Sequence, residues 1–270
     1  MGKNYTAGRF LNHLINARRW DTFHSPFLFD LFTQCCNEHA RSPEFEAIEA
    51  CRKELLTFTE KIKRTDFGAG SATGNLGDQM PIADIARHAL SHPFQCRFLF
   101  RLVQFMKPQS ILELGTSLGI STAYLAAAAP EGFITTVEGD PNVARIARQT
   151  FEKLELANIE LHSLLFRTYL EDVDEMTPDL IFLDGHHESK ALVEYYDILE
   201  KRIRPETIIV IDDIYWSKDM TEGWNELIRR PTVTQSVDCF HFGLLFFSPD
   251  FIGREHHKIR LPLSMLTRKN

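Results

Sequence analysis

The chain has 270 residues, a hydrophobic fraction of 44% and a charged fraction of 25%, which suits one large globular α/β domain with an extension. The formal net charge of −7 gives no overall basic footprint, so nucleic acid is not favoured as a partner. No apolar run approaches the ~18 residues that cross a bilayer, so we expect no membrane association. The five cysteines are odd in number and lack zinc-type spacing, which predicts reduced thiols and a cytoplasmic location.

The pattern of apolar residues changes near residue 109. Before it, apolar residues recur at helical spacing, as at Phe27, Leu28, Leu31 and Phe32, and no strong strand pattern is visible. After it, short β-rich runs alternate with longer amphipathic stretches, which is typical of a doubly wound parallel sheet. We therefore predict a helical N-terminal extension over 1–94, a core over 95–250 and a C-terminal tail over 251–270.

Five predicted strands in the core are each followed by a helix. The strands are 110–114, 133–138, 158–163, 179–184 and 207–212, and the helices are 120–129, 142–154, 168–174, 189–202 and 220–229. Two later strands, 232–237 and 242–247, have no helix between them, which predicts an antiparallel pair. The expected fold is α/β, with a Rossmann-like doubly wound seven-stranded sheet whose last strand is antiparallel.

A glycine turn follows the first predicted strand. Residues 111–122 read Ile-Leu-Glu-Leu-Gly-Thr-Ser-Leu-Gly-Ile-Ser-Thr, and in such sheets ligands bind beyond the carboxyl ends of the strands. A dinucleotide site needs two closely spaced glycines to approach the pyrophosphate, but Gly115 and Gly119 are four residues apart. Glu113 would repel a phosphate and attract an ammonium group, which favours S-adenosyl-L-methionine. A structural turn without a ligand is the alternative.

Glu138 ends the second predicted strand, 23 residues after Gly115. A carboxylate at this place can accept hydrogen bonds from both hydroxyls of a ribose. This feature alone does not separate S-adenosyl-L-methionine from NAD, and a solvated glutamate at a strand end is the alternative. The predicted cofactor-binding residues are Glu113, Gly115, Thr116, Ser117, Gly119, Thr122, Glu138, Ser163 and Asp184.

Carboxylates also end the fourth and fifth predicted strands. Asp184 is followed by Gly185 and two histidines, and the fifth strand ends in Asp212 and Asp213. Three carboxylates on adjacent strand ends suit a hard divalent cation such as Mg²⁺, although they could instead cap helices and position the methionine part of the cofactor. Without a metal, His187 is the nearest candidate base, because a histidine titrates near neutral pH. We predict Asp184 and His187 as catalytic residues.

These motifs, in this order and spacing, resemble those of class I S-adenosylmethionine-dependent methyltransferases. The resemblance covers about residues 95–248 and is specifically to the bacterial O-methyltransferases related to the catechol and caffeoyl-CoA enzymes. It implies methyl transfer to a hydroxyl of a small molecule, with Asp184, Asp212 and Asp213 as cation ligands in the metal-dependent relatives. Those relatives usually have Asp-Asn where this chain has Asp212-Asp213, and their catalytic lysine falls near His187.

Two other functions stay open at this point. One is an NAD(P)-dependent oxidoreductase, and the other is a non-catalytic cofactor-binding interaction protein on the same fold. A homodimer through the N-terminal half is compatible with the sequence, although no feature requires it.

Some further residues are assigned more loosely. Residues 66–71 (Asp-Phe-Gly-Ala-Gly-Ser) have a sequence similar to that of the glycine turn. Because they follow a charged stretch and not a buried strand, we expect a flexible loop or lid there. Tyr215, Trp216 and Trp224 could line the acceptor pocket, although such residues more often pack in a core. His256 and His257 have no partner spacing, and we expect them at the surface.

Overall fold

The chain divides into two compact units. The computed structural model describes residues 2–37, 42–64, 79–173 and 176–262. The composite unit consists of residues 1–36 and 170–270, and the central unit consists of residues 37–169. This division differs from the predicted boundaries at 94 and 250, because the first 36 residues belong with the last hundred rather than with a separate extension.

The helices and strands are numbered in chain order. The helices are α1 (Gly2–Asn16), α2 (Pro26–Cys35), α3 (Pro43–Leu55), α4 (Ile82–Ala89), α5 (Pro93–Met106), α6 (Ile120–Ala128), α7 (Pro141–Lys153), α8 (Phe166–Asp172), α9 (Ser189–Leu199) and α10 (Lys218–Leu227). The strands are β1 (Arg18–Arg19), β2 (Lys61–Lys63), β3 (Gln79–Pro81), β4 (Ser110–Leu114), β5 (Phe133–Val137), β6 (Ile159–His162), β7 (Leu180–Leu183), β8 (Ile208–Asp212), β9 (Gln235–Asp238), β10 (Phe242–Phe246) and β11 (Glu255–Arg260). The predicted alternation of five strands and five helices is confirmed.

In the central unit, β4, β5 and β6 form parallel pairs in that order. The pairing of β4 with β5 sets Glu113 beside Thr136 and Leu114 beside Val137. The helix α7 begins where Asp140 accepts a hydrogen bond from the Asn142 amide at 2.8 Å, with a proline at the first helical position. The β4–β5 register and the start of α7 at Asp140 together place the ends of β4 and β5 next to the glycine turn.

The central unit also contains a small antiparallel pair that the sequence did not predict. Strand β2 pairs with β3, so that Lys61 lies beside Pro81 and Ile62 beside Met80. The expectation of no strand before residue 109 was therefore wrong here. Only Ile62 of β2 is buried, so the apolar pattern was too short to recognise. The predicted lid at 66–71 lies outside the described residues.

In the composite unit the strand order is β1-β11-β9-β10-β8-β7. Strands β7 and β8 are parallel, and β10 is antiparallel to both β8 and β9. The predicted antiparallel pair near the end of the chain is therefore confirmed. Together with β4, β5 and β6, the strands β7 to β10 account for all seven predicted strands.

Part of the predicted C-terminal tail is a strand. Strand β11 runs parallel to β9 and also pairs with β1, so the prediction of a tail was wrong for 255–260. His256 contacts the Ser236 hydroxyl at 2.9 Å, and His257 contacts the Gln235 side chain at 2.9 Å. Both histidines therefore have partners on β9 instead of pointing freely from the surface.

All five cysteines are buried, and none of them forms a disulfide bond. Among the helices that the structure describes, none combines the length and apolar character needed to cross a membrane.

Candidate active site

The turn between β4 and α6 holds the predicted glycine motif. The amides of Gly115 and Thr116 both donate to the Val137 carbonyl, at 3.0 and 3.3 Å. Ser117 has a left-handed backbone with a φ of 49°, a conformation that an L-residue adopts only at some cost. Gly119 ends the turn and caps α6. The turn is thus fixed to the end of β5 by backbone hydrogen bonds.

A buried carboxylate lies beneath this turn. Glu113 is 0% exposed and accepts hydrogen bonds from the Ser121 hydroxyl at 2.7 Å, the Thr136 hydroxyl at 2.6 Å and the Thr122 hydroxyl. Three hydroxyl donors compensate for much of the cost of burying a carboxylate. The sequence did not indicate Ser121 or Thr136, although Thr136 alternates with Glu138 along β5 and so points to the same face as Glu138.

Thr116 belongs to the same buried network, because its hydroxyl lies 2.6 Å from that of Thr136. Glu113, Thr116 and Thr122 are all fully buried, and their described contacts support the turn from within. Direct contact of these three residues with a cofactor stays a prediction.

Glu138 and Ser117 form the partly exposed side of the motif. One Glu138 oxygen accepts the Ser117 amide at 2.9 Å, and the other accepts the Asp140 amide at 3.0 Å. Burial raises the pKa of Glu138, and these two amide donors oppose that shift. The Ser117 hydroxyl is buried and has no hydrogen-bond partner among the described residues. A buried hydroxyl of this kind is suited to a polar ligand.

The predicted cofactor residue Ser163 follows β6 and is half-buried. The Glu138 amide donates to the His162 carbonyl at 3.0 Å, so the ends of β5 and β6 lie side by side. The central unit thus brings Gly115, Ser117, Glu138 and Ser163 to neighbouring strand ends.

In the composite unit, the ends of β7 and β8 bring three carboxylates together. Asp212 is buried, and its pKa lies well above that of an ordinary aspartate because of burial first and the nearby Asp184 and Asp213 charges second. Burial likewise raises the pKa of Asp213 to about 6, against the opposing effect of His187. Asp213 has a left-handed backbone with a φ of 52°, and its amide donates to the His241 carbonyl at 2.7 Å.

The donor chemistry of these carboxylates fits a hard divalent cation, because three carboxylate groups that repel one another are stabilised by a positive ion. Among the described residues, however, no group of three or more His, Cys, Asp or Glu side chains is already arranged as a metal-ligand set. Asp184, Asp212 and Asp213 are therefore suitable in kind, and cation binding stays a proposal.

His187 lies beside this carboxylate cluster. Its Nε2 atom is 3.9 Å from an Asp213 carboxylate oxygen, and its ring lies 5.5 Å from that of Trp216 at an interplanar angle of 36°. The Nδ1 atom is buried without a hydrogen-bond partner among the described residues. The structure thus brings together His187 and the three predicted aspartates of the composite unit.

Two residues that the sequence did not indicate fix the loop that carries His187. The Tyr195 hydroxyl lies 2.6 Å from Nδ1 of His186, which has a left-handed backbone with a φ of 47°. Asp219 of α10 accepts the Ser189 amide at 2.7 Å and so satisfies a free amide at the start of α9. The first contact joins α9 to the loop before it, and the second joins α9 to α10, so no motif within one element reveals either of them.

The three aromatic residues proposed for the acceptor pocket differ in burial. Trp216 is 52% exposed and lies against His187. Tyr215 and Trp224 are buried, and Trp224 packs so closely on β10 that a Cβ atom at Gly243 would lie 2.5 Å from its ring. Trp224 is therefore a core residue, and Trp216 keeps an open face.

Comparisons with known proteins show which sequences this chain is similar to. Residues 112–214 match the family model described as a methyltransferase domain. A catechol O-methyltransferase of Niastella koreensis is 28% identical over 176 residues, which cover 63% of this chain and 73% of that protein. A catechol O-methyltransferase of Mycobacterium tuberculosis is 29% identical over 136 residues, covering 49% of this chain and 60% of that protein.

A solved structure shares the fold. The structure of the methyltransferase PaMTH1 from Podospora anserina, bound to S-adenosylhomocysteine, has a TM-score of 0.58 and 17% identity, and covers 84% of this chain and 97% of that chain. The Rossmann-like α/β class is therefore confirmed, and the comparisons give no support to an oxidoreductase. The family model describes residues 112–214 as a methyltransferase domain, and the two relatives are O-methyltransferases, so this part of the chain is similar to the S-adenosylmethionine-dependent O-methyltransferases.

Proposed function

We propose that this protein transfers the methyl group of S-adenosylmethionine to a hydroxyl of a small molecule, with His187 as the general base. The observation that carries the proposal is the environment of His187, whose buried Nδ1 atom lacks a partner among the described residues while Nε2 faces Asp213. The neighbouring Asp213 carboxylate favours the tautomer with its proton on Nε2. Nδ1 then has a lone pair that can accept a proton.

The reaction needs alignment and one proton transfer. His187 accepts the proton of the acceptor hydroxyl while the acceptor oxygen attacks the methyl carbon in line with the carbon–sulfur bond. The carbon–oxygen bond forms as the carbon–sulfur bond breaks, and the sulfur keeps the electron pair of the broken bond. S-adenosylhomocysteine, the methylated product and a protonated His187 result. The open face of Trp216 beside His187 supports an aromatic acceptor, since aromatic rings stack favourably.

For the cofactor, the central unit supplies Glu138 and Ser117. The Glu138 carboxylate uses one lone pair of each oxygen on a backbone amide, which leaves capacity for the two ribose hydroxyls. The buried Ser117 hydroxyl would hydrogen-bond to another polar group of the cofactor. Gly115, Gly119 and Ser163 belong to the same proposed set, with Glu113, Thr116 and Thr122 supporting the turn beneath it. Asp184 of the composite unit stays a predicted cofactor-binding residue.

Asp184, Asp212 and Asp213 are the residues that would hold a divalent cation such as Mg²⁺. When bound, such an ion lowers the pKa of a coordinated hydroxyl and so assists loss of its proton. The catechol O-methyltransferases that this chain is similar to favour a catechol as the first acceptor to try. A cytoplasmic location stays a prediction, as does a homodimer, which light scattering would test.

The test measures methyl transfer from S-adenosylmethionine to catechol by mass spectrometry, after treatment with a chelator and again with added Mg²⁺. We expect His187→Ala to lower kcat by about 10² to 10⁴ and Asp184→Ala to lower it comparably. His88→Ala, at an exposed histidine on α4, is the control and should retain activity. Full turnover in both His187→Ala and Asp184→Ala would refute the assignment of roles.

Calorimetry with S-adenosylhomocysteine distinguishes the proposed enzyme from the remaining alternative, a non-catalytic protein that binds the cofactor. Binding without methyl transfer to any hydroxyl acceptor, with or without Mg²⁺, would identify a non-catalytic binding protein. Equal turnover in chelator and in Mg²⁺ would exclude the cation from the proposal while leaving His187 as the base.

A further inference from the structure

The helix α1 contacts the segment that follows Asp213. This segment, residues 213–217, carries Trp216 and joins β8 to α10. The Thr6 hydroxyl donates to the Tyr215 carbonyl at 3.4 Å. The Tyr5 hydroxyl donates to the Thr221 hydroxyl at 3.0 Å. The Thr221 hydroxyl lies 3.1 Å from the Ile214 carbonyl and 2.9 Å from the Ser217 carbonyl, either of which can accept its proton. The first two turns of α1 are therefore linked to the backbone on both sides of Tyr215.

A buried aspartate anchors the same segment from its other side. Asp238, at the end of β9, is only 3% exposed. It accepts a hydrogen bond from the Tyr215 hydroxyl at 2.7 Å and another from the Phe240 amide at 2.9 Å. The Tyr215 ring also stacks on that of Phe240, with centroids 5.1 Å apart and an angle of 22°. The aspartate and the stacked ring together hold Tyr215 in one orientation.

His13 connects α1 to this anchor. Its Nε2 atom lies 3.0 Å from the Ile259 carbonyl of β11. Since a carbonyl only accepts hydrogen bonds, Nε2 must be the donor there. Its Nδ1 atom lies 3.5 Å from an Asp238 oxygen, although it makes no hydrogen bond to any described residue. The His13 ring also packs 5.4 Å from Phe240. His13 is buried, so these contacts lie in the interior of the composite unit.

We infer that His13, Asp238 and Tyr215 are positioning residues that hold segment 213–217, and with it Trp216, in the orientation that places Trp216 against His187. This inference rests on the proposed function, in which Trp216 contacts the acceptor. It assigns α1 a role in acceptor recognition, because the helix contacts the segment at Thr6 and reaches its anchor through His13. None of the three residues need touch the acceptor.

The first measurement is hydrogen–deuterium exchange on the full-length protein. His13→Phe retains an aromatic ring but removes both nitrogens, and Tyr215→Phe removes only the hydroxyl. We expect each to raise amide exchange within segment 213–217 by about 5- to 30-fold, the effect of losing one or two ordinary interactions. Tyr196→Phe is the matched control, because its buried hydroxyl contacts Thr232 at 2.9 Å away from this segment.

The second measurement is the kinetics of methyl transfer to catechol. If His13 and Tyr215 position Trp216, then His13→Phe and Tyr215→Phe should each raise the KM for catechol several-fold. The Kd for S-adenosylhomocysteine should stay at the wild-type value. If either variant fails to fold, Tyr5→Phe removes the contact of α1 with Thr221, together with the Arg9–Tyr5 contact within α1, and should give the same pattern with a smaller amplitude.

Unchanged exchange in segment 213–217 for folded His13→Phe would overturn the inference, as would equal increases throughout the composite unit. If wild-type protein does not methylate catechol, the proposed acceptor fails, but the exchange experiment still decides whether α1 positions the segment. A weakened Kd for S-adenosylhomocysteine together with an unchanged KM for catechol would also contradict a role on the acceptor side.

Discussion

The carboxylate of Glu138 is largely buried and can still accept further hydrogen bonds from a ligand. Two backbone amides already donate to its oxygens, so the carboxylate is oriented before any ligand arrives. Orienting a charged acceptor in advance reduces the entropy that binding would otherwise cost. Burial nevertheless raises the pKa of this group, and so links its ability to accept hydrogen bonds to pH.

We therefore expect Glu138→Gln to weaken binding of S-adenosylhomocysteine about 10- to 100-fold, because an amide has only one accepting oxygen and no charge. In the wild type, affinity should decline as pH falls through the raised pKa of Glu138, which lies above the ordinary value of 4.5, by at most about tenfold per pH unit. Calorimetry at several pH values measures both effects. The exposed Glu131→Gln is the control, and a pH profile that is the same in Glu138→Gln and wild type would contradict the explanation.

At the residue scale the sequence could predict the charged groups but not their partners. Asp184, His187 and the pair Asp212-Asp213 were recognisable because they follow apolar strands, and parallel strand ends meet at one edge. The hydroxyls around Glu113 and the contact of Tyr195 with His186 depend on strand register and helix packing. These contacts join residues between 8 and 23 positions apart in different elements, so the pattern within one element does not reveal them.

The close packing of α7 against the start of α6 explains why residue 119 of the motif is a glycine. Gly119 has a φ of +86°, and a Cβ atom there would lie 2.6 Å from the Phe151 ring and 3.3 Å from the Ala147 backbone. The sequence suggested a glycine needed for a close ligand. The structure gives an additional reason, since α7 approaches the start of α6 too closely for a side chain.

Three glycine-to-alanine variants separate backbone strain from packing. Gly8→Ala, in α1 with no atom within 4 Å of the new Cβ, should stabilise the protein by about 0.5 to 1 kcal/mol. Gly253→Ala, with a φ of +78° in open space, should cost about 1 to 2 kcal/mol. Gly119→Ala adds overpacking and should cost about 2 to 5 kcal/mol. Urea unfolding measures the series, and equal costs at Gly119 and Gly253 would exclude the packing contribution.

The elements themselves were largely predictable, with informative exceptions. The alternation of strands and helices from β4 to α10 follows from the change in hydrophobic period and from caps such as Asp140. Strand β11 was missed because Glu255–Arg260 contains only one buried residue, Ile259. Its stability comes from pairing with β9 and β1, which no pattern within six residues could indicate.

For the molecule as a whole, a cofactor that binds only the folded state should raise its stability. S-adenosylhomocysteine at 100 times its Kd is expected to add about 2.7 kcal/mol, which corresponds to an increase in Tm of about 5 to 10 °C for a chain of this size. Differential scanning fluorimetry measures the shift. NADH at the same concentration is the control, and an equal shift with NADH would restore the oxidoreductase alternative.

The chain order within the composite unit has a consequence for biosynthesis. Arg18 and Arg19 pair with Ile259 and Arg260, and His13 contacts the Ile259 carbonyl. A ribosome that adds 5 to 20 residues per second needs about 10 to 50 s to cover this separation. During that interval the ribosome synthesises the central unit. Neither α1 nor β1 can yet contact β11, because β11 has not been synthesised. The exposed apolar side chains of the N-terminal segment are then natural targets for chaperones, and α1 and β1 reach their final contacts only after β11 has been synthesised.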